Sequence, residues 1–222
     1  MRGLFFTFEG VEGSGKTTQL RRLAATLAQS GEQVTETREP GGTPVGEAIR
    51  SILLTTRNRG MTAEAELFLY LASRAQLSRE CIIPALTAGA IVLCDRFADA
   101  TTAYQGYGRQ LDLKLIATMN RAATGGVTPN LTFLLDLDPR EGLRRVGERG
   151  QVLFLEPSFD RLEAEALDFH DRVREGYLKI AREEPDRFQV IDATRPEEVI
   201  AAEVWERVEP FIGSRAVQGG RR

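Results

Sequence analysis

Histidine is nearly absent from this chain of 222 residues. His170 is the single one, and it falls in a long charged helical pattern that reads as helix surface. Catalysis built on a histidine base, and metal sites rich in histidine, are set aside on that ground. Cysteine is almost as scarce: Cys81 and Cys94 have no partner at metal-ligand or redox-motif spacing and read as reduced, packed thiols. A charge excess is also missing. The formal net charge of −3 leaves no overall basic field of the kind that draws a protein to nucleic acid or to an anionic membrane, so local arginine clusters have to carry any anion recognition. Long apolar runs are lacking too. The runs 90–94 and 131–135 fall far below the roughly 20 residues of a membrane span, and no signal-peptide plan opens the sequence, which points to a soluble cytoplasmic protein.

Lysine is the last scarcity, and it singles out one position. Of the 29 basic residues only Lys16, Lys114 and Lys179 are lysine. Lys16 stands in Gly10-Val11-Glu12-Gly13-Ser14-Gly15-Lys16-Thr17, which matches G-x-x-x-x-G-K-[ST] without departure. An apolar strand pattern at 4–8 precedes the motif, and a helical pattern with Leu20, Leu23 and Leu27 on one face follows it, stopped by Gly31. Glycines there let backbone N–H groups close around phosphate oxygens, and the helix N-terminus adds about half a positive charge. Lys16 is expected to reach the β- and γ-phosphates, because a compact ammonium fits where a planar guanidinium would not. Thr17 is expected to ligate Mg²⁺. Asp95, closing the apolar run 90–94, stands where P-loop proteins direct a second carboxylate at the metal, either directly or through water, although an aspartate after a strand also serves as a helix cap.

Strand patterns at 4–8, 33–37, 90–94, 131–136 and 188–191 alternate with helical patterns from Lys16 and at 45–54, 62–88, 112–123, 138–148, 160–184 and 196–212. Short, non-alternating apolar strands separated by helices imply an α/β fold, a five-stranded parallel sheet covered by helices on both faces. Its ligands bind beyond the carboxyl ends of the strands. The stretch after Asp95 reads as a polar loop. A single domain over 1–212, a lid insertion at about 142–161 and a frayed tail at 213–222 complete the expected organisation.

A phosphate loop alone does not separate kinases from GTPases, motors or regulatory switches. No guanine-reading Asn-Lys-x-Asp stretch occurs, whereas arginine occurs in every segment expected at the active edge: Arg38, Arg50, Arg74, Arg96, Arg109, Arg144, Arg145 and Arg149. Two phosphate-bearing substrates repel by about 4 kcal/mol per unit pair at an effective dielectric near 20, and arginines aimed at both are the simplest remedy. A phosphate acceptor is already ionised and needs no general base, so the lack of histidine fits transfer from phosphate to phosphate. A kinase for any nucleoside monophosphate and a non-catalytic nucleotide-binding regulator both remain open on these residues.

Beyond the phosphate loop, the set Phe8-Glu9-Gly10, Glu12 through Thr18, Arg38-Glu39-Pro40-Gly41-Gly42-Thr43, Ala72-Ser73-Arg74, Asp95-Arg96-Phe97 and Ala103-Tyr104-Gln105-Gly106-Tyr107-Gly108-Arg109 resembles bacterial thymidylate kinase over roughly residues 3–212. That resemblance implies the P-loop NTPase fold, Mg²⁺ with ATP as co-substrate, dTMP as acceptor, and a homodimer formed through the helices from Thr62 and Asp112. It implies that Arg74 and Arg96 hold the dTMP phosphate with Arg50 and Glu39 beside them, that Tyr70 stacks on thymine, and that Thr101 and Gln105 lie near the base edge. Tyr104 would sit at the sugar and disfavour a 2′-hydroxyl, and Glu12 would face the 3′-hydroxyl. Gly10, Val11, Gly13, Ser14, Gly15 and Thr18 complete the ATP contacts, and an acidic Glu12 goes with a transfer arginine supplied by the lid, Arg145 or Arg149. The chain departs from the family at Gln151-Val152-Leu153-Phe154-Leu155-Glu156-Pro157-Ser158-Phe159, which separates Gly150 from Asp160-Arg161-Leu162-Glu163. Asp192-Ala193-Thr194-Arg195 resembles the family's adenine-side loop.

Overall fold

A computed structural model describes residues 3–152 and 160–219, with 149–152 and 215–219 described by backbone alone. The chain runs β1 (Leu4–Glu9), α1 (Lys16–Gln29), β2 (Val34–Arg38), α2 (Pro44–Leu54), α3 (Ala63–Leu77), α4 (Ile83–Thr87), β3 (Ile91–Asp95), α5 (Ala98–Thr101), α6 (Leu113–Thr124), β4 (Leu131–Asp136), α7 (Pro139–Val152), α8 (Leu167–Glu183), β5 (Phe188–Asp192) and α9 (Glu197–Gly219). The five strands form one parallel sheet in the order β2-β3-β1-β4-β5.

The three central strands are buried on both faces, which is why their sequences are apolar without alternation. Side-chain alternation still assigns them to opposite layers. Phe6, Phe8, Ile91 and Leu93 pack with Leu20, Leu23 and Leu27 of α1 and Val204 and Val208 of α9, whereas Phe5, Val92 and Cys94 pack with Leu77, Ile82 and Phe97. A further cluster joins Leu134 and Phe188 to Phe169, Val173 and Tyr177 of α8. In-register pairing of Phe8 and Arg38 with Asp95 brings the ends of β1, β2 and β3 to one level, so their following loops share an edge.

The stretch after Asp95 is not a polar loop. It is helical: α5 passes into a π-helical segment over Thr102–Gly108 that buries Ala103, Tyr104 and Gln105. Its glycines hid this, because they serve packing rather than turning. Gly106 faces Leu113 and Gly108 faces Phe169 at distances that leave no room for a side chain. The helical pattern at 62–88 is likewise broken by a π-turn at Ser78–Ile82, just before Pro84, which has no N–H to continue an α ladder. The helix expected from 160 starts at Leu167. Before it, Asp160 Oδ1 accepts the backbone N–H groups of Leu162 and Glu163 in a turn. Helix α9 continues past Ile212 to Gly219.

Candidate active site

Gly10, Gly13 and Gly15 adopt φ of +135°, +71° and +90°, which wraps the loop between β1 and α1 around the start of α1. Lys16 folds over this loop, donating to Val11 O at 2.7 Å and Ser14 Oγ at 3.4 Å. Burial, with the charge of Arg96 adding to it, lowers its pKa to about 8. Thr17 Oγ1 donates to Asp95 Oδ2, so the two oxygens expected at a metal meet directly. Helix α7 rests on the loop backbone: a Cβ on Gly142 would lie 2.2 Å from Glu12 O. One turn on, Arg145 donates to Glu141 Oε1 at 2.8 Å and Ala193 O at 3.2 Å. It lines a cavity with Gly13, Gly15, Thr18, Arg195 and Pro196, which brings the 192–195 loop and the phosphate loop together. Arg144 instead pairs with Glu141 and Glu148 on the exposed side of its own helix. The side chain of Arg149 lies outside the described residues, as does the stretch 153–159 of the expected lid.

On the other side of Lys16 is a cavity of ≈ 380 Å³, lined by Glu12, Arg38, Glu39, Arg50, Tyr70, Asp95, Arg96, Thr101, Tyr104 and Gln105 among others. Among these, Arg96 has φ +70°, a left-handed conformation that costs a residue with a side chain about 1–3 kcal/mol. Its contacts hold it there. The backbone N–H donates to Phe8 O, and the guanidinium donates to Gly10 O at 3.0 Å, Tyr177 Oη at 3.2 Å and Glu12 Oε1 at 2.8 Å, over the Tyr104 ring. Glu12 Oε1 also accepts Tyr104 Oη at 2.7 Å, while Glu12 Oε2 is buried and without a hydrogen-bond partner among the described residues. Burial pushes the Glu12 carboxyl up, but Arg96 and Lys16 outweigh it and hold it below the usual range. Arg50 donates to Pro40 O at 2.9 Å at the rim. Tyr70 is half-buried, its hydroxyl pushed up by burial and by Glu66.

Two expectations need correction. Arg74 is not free to hold a phosphate. It is 0% exposed, and its guanidinium donates to Glu39, Thr101, Asn120 and Phe97 O, which uses its donors inside the wall of the cavity. Glu39, its partner, is equally buried, and burial pushes its carboxyl up despite Arg74. His170 is not a helix-surface residue either: it is 1% exposed, with Nδ1 3.8 Å from Glu12 Oε2. Two further residues went unrecognised. Glu9 Oε1 accepts the Phe97 N–H at 2.7 Å and Oε2 accepts Tyr177 Oη at 2.6 Å. Burial, with Asp99 adding to it, pushes Glu9 up to about 8. A carboxyl at the end of an otherwise apolar strand was the available signal; Tyr177 carried none.

The thymidylate kinase family model matches residues 8–204. The thymidylate kinase of Deinococcus radiodurans is 53% identical over 207 residues, covering 93% of this chain and 97% of that one. That of Desulfovibrio desulfuricans is 49% identical over 212 residues, covering 96% and 98%. The crystal structure of thymidylate kinase from Ehrlichia chaffeensis superimposes with a TM-score of 0.75 at 34% identity, over 94% of this chain and 99% of that one.

Proposed function

The chain belongs to the thymidylate kinase family and has its P-loop NTPase fold, and from that membership we propose a residue-level account of how it transfers the γ-phosphoryl group of ATP to dTMP, giving ADP and dTDP for dTTP synthesis. The observation that carries the account is the position of Arg96: its guanidinium lines the acceptor cavity beside Lys16, while Glu12 and Gly10 O hold it in place.

ATP lies with its phosphates in the loop Gly10–Thr18 and its adenine toward Arg145 and the 192–195 loop. Lys16 and Arg96 both line the cavity where the two substrates meet. Mg²⁺, a hard ion that takes oxygen ligands, fits the Thr17 and Asp95 oxygens together with phosphate oxygens and water. When bound, it neutralises charge on the β- and γ-phosphates. The dTMP phosphate faces Arg96 and Arg50, the sugar lies against Tyr104 and Glu12, and the base lies on Tyr70 near Thr101 and Gln105. Arg74 and Glu39 position this wall rather than touch the phosphate. The reaction is an in-line displacement promoted by orientation and charge stabilisation, with an acceptor oxygen that is already ionised. A lid at about 142–161, pivoting where Gly142 rests on the loop, excludes water and supplies Arg145 or Arg149 to the transferred group.

Residues 1–212 act as one domain. Phe68 of α3 and Leu115 of α6 are 55% and 51% exposed, which supports a homodimer through these helices. No helix among the described residues is long and apolar enough to cross a membrane, in keeping with a cytoplasmic enzyme. The test is ADP release with ATP and Mg²⁺, offering dTMP, dUMP, dCMP, dGMP, AMP, UMP and thymidine separately, with light scattering for the dimer. Turnover with dTMP that Lys16→Ala and Arg96→Ala abolish is the expected result. Preference for another monophosphate would sink the placement of the base.

A further inference from the structure

Glu9 and Tyr177 line neither cavity of the site, yet both close on Arg96. A guanidinium carries five N–H donors in a fixed fork. Arg96 places three of them on protein: two from Nη1, on Gly10 O at 3.0 Å and Tyr177 Oη at 3.2 Å, and one from Nη2, on Glu12 Oε1 at 2.8 Å. The Nε–H and the second Nη2 N–H have no acceptor among the described residues, and Arg96 lines the acceptor cavity. Because the fork is planar and rigid, whatever holds the three bound donors sets the direction of the two free ones.

Gly10 and Glu12 hold the guanidinium from the phosphate loop, whereas Tyr177 holds it from α8. The tyrosine hydroxyl is fixed in turn. Tyr177 is 1% exposed and donates its single proton to Glu9 Oε2 at 2.6 Å, so only lone pairs are left to face Arg96. Helix α8 is itself fastened beside it. Arg174 forks onto Asp136 at 2.7 and 2.9 Å, and a Cβ on Gly176 would lie 2.6 Å from the Tyr107 ring.

Glu9 is 0% exposed, and its other oxygen accepts the Phe97 N–H at 2.7 Å. That bond, with the Arg96 N–H on Phe8 O at 3.0 Å, ties the backbone on both sides of the left-handed residue to the end of β1. One carboxyl therefore acts on Arg96 twice, through the peptide that follows it and, by way of Tyr177, through its guanidinium.

We infer that Glu9 and Tyr177 are positioning residues for phosphoryl transfer: together they fix the backbone and the guanidinium of Arg96 before dTMP arrives, so that its two free donors are already aimed at the acceptor phosphate. Donors held in advance need no rearrangement as charge develops, which is where such a donor is worth most. The role also gives a reason for a tyrosine, rather than a phenylalanine, in a buried cluster with Leu134, Phe169 and Val173.

The inference rests on Arg96 as the arginine that meets the dTMP phosphate, and the experiment separates the two. Tyr177→Phe keeps the buried ring and removes only the hydroxyl. It is introduced into wild type and into Arg96→Lys, and each protein is measured for kcat/KM with dTMP at saturating ATP, for the Kd of dTMP and of ATP by calorimetry, and for its urea midpoint. In wild type the substitution should lower kcat/KM for dTMP by about 10–10²-fold, the range for a charged donor that loses a partner and a fork that loses its aim. The Kd for ATP should stay within about twofold, since the phosphate loop keeps its own contacts. In Arg96→Lys the same substitution should cost less than about threefold, because a lysine has no fork to aim. The Kd for dTMP closes the same cycle where turnover of the double variant is too slow to follow. Glu9→Leu removes both hydrogen bonds without leaving a polar atom, should also cost more in wild type than in Arg96→Lys, and decides the matter if Tyr177→Phe fails to fold. A purely structural role costs the same factor in both backgrounds, or moves the urea midpoint and leaves kcat/KM unchanged; either result overturns the inference. Activity of Arg96→Lys near that of wild type overturns the placement of Arg96, and the inference with it, before Tyr177→Phe is read.

Discussion

Arg96 and Glu12, 84 residues apart in sequence, meet at 2.8 Å at the junction of the phosphate loop and the acceptor cavity. Glu12 takes this guanidinium and the Tyr104 hydroxyl on one oxygen and leaves the other without a hydrogen-bond partner among the described residues. The carboxylate thus holds Arg96 in place and keeps an acceptor for a substrate hydroxyl. Arg96→Lys keeps the charge but loses the fork that binds Glu12 Oε1, Gly10 O and Tyr177 together. It should lower kcat/KM for dTMP by about 10²–10³-fold, the usual cost of a lost transition-state donor. Steady-state kinetics at saturating ATP decide it; activity within about threefold of wild type would mean that charge alone suffices.

Lys16 makes nucleotide binding depend on pH. Its pKa in the free protein, lowered to about 8 by burial and Arg96, rises again when phosphates arrive. ATP binding above pH 8 therefore takes up a proton, and the Kd for ATP should rise by up to about tenfold per pH unit from there toward pH 10. Calorimetry in two buffers of different ionisation enthalpy measures the uptake directly. No proton uptake at pH 9 would show that Lys16 is already charged in the free protein.

Arg74 and Glu39 separate a structural arginine from a ligand-binding one. Arg74→Met leaves the Glu39 carboxyl buried and unpaired, which should cost about 3–5 kcal/mol of stability in urea unfolding. Adding Glu39→Leu should recover part of that loss, because no uncompensated charge then remains. If Arg74→Met left the protein as stable as wild type but unable to bind dTMP, the phosphate role would be restored.

What was legible in the sequence was whatever depends on neighbours along the chain. The loop from Gly10 to Thr17, the amphipathic α1 and the apolar β3 ending in Asp95 each announce themselves within a dozen residues. Arg74 and His170 are buried against partners far away in the chain, Glu39 and Asn120 among those of the one and Glu12 near the other. No local period encodes that. The helical turn over Thr102–Gly108 was missed because Gly106 and Gly108 look like chain breakers, whereas close packing against Leu113 and Phe169 is their reason.

Glu9 offers the sharpest test of the buried network. It is fully enclosed, and burial, reinforced by Asp99, raises its pKa from 4.5 to about 8. The folded protein therefore keeps a proton on Glu9 across a range in which the unfolded chain has released it. With the folded pKa the higher of the two, the stabilisation is fully present below about pH 4.5 and is lost as the pH climbs through about 8. One proton corresponds to a slope of roughly 1.4 kcal/mol per pH unit within that window. Glu9→Gln is neutral at every pH and retains an acceptor for the Phe97 N–H. The stability of wild type minus that of Glu9→Gln, from urea unfolding at pH 5 to 9, should fall steadily and level off above pH 8, while contributions from the other carboxylates cancel in the difference. A difference that stays flat or rises with pH would mean that Glu9 is ionised in the fold, and that Arg96 outweighs burial in setting its charge.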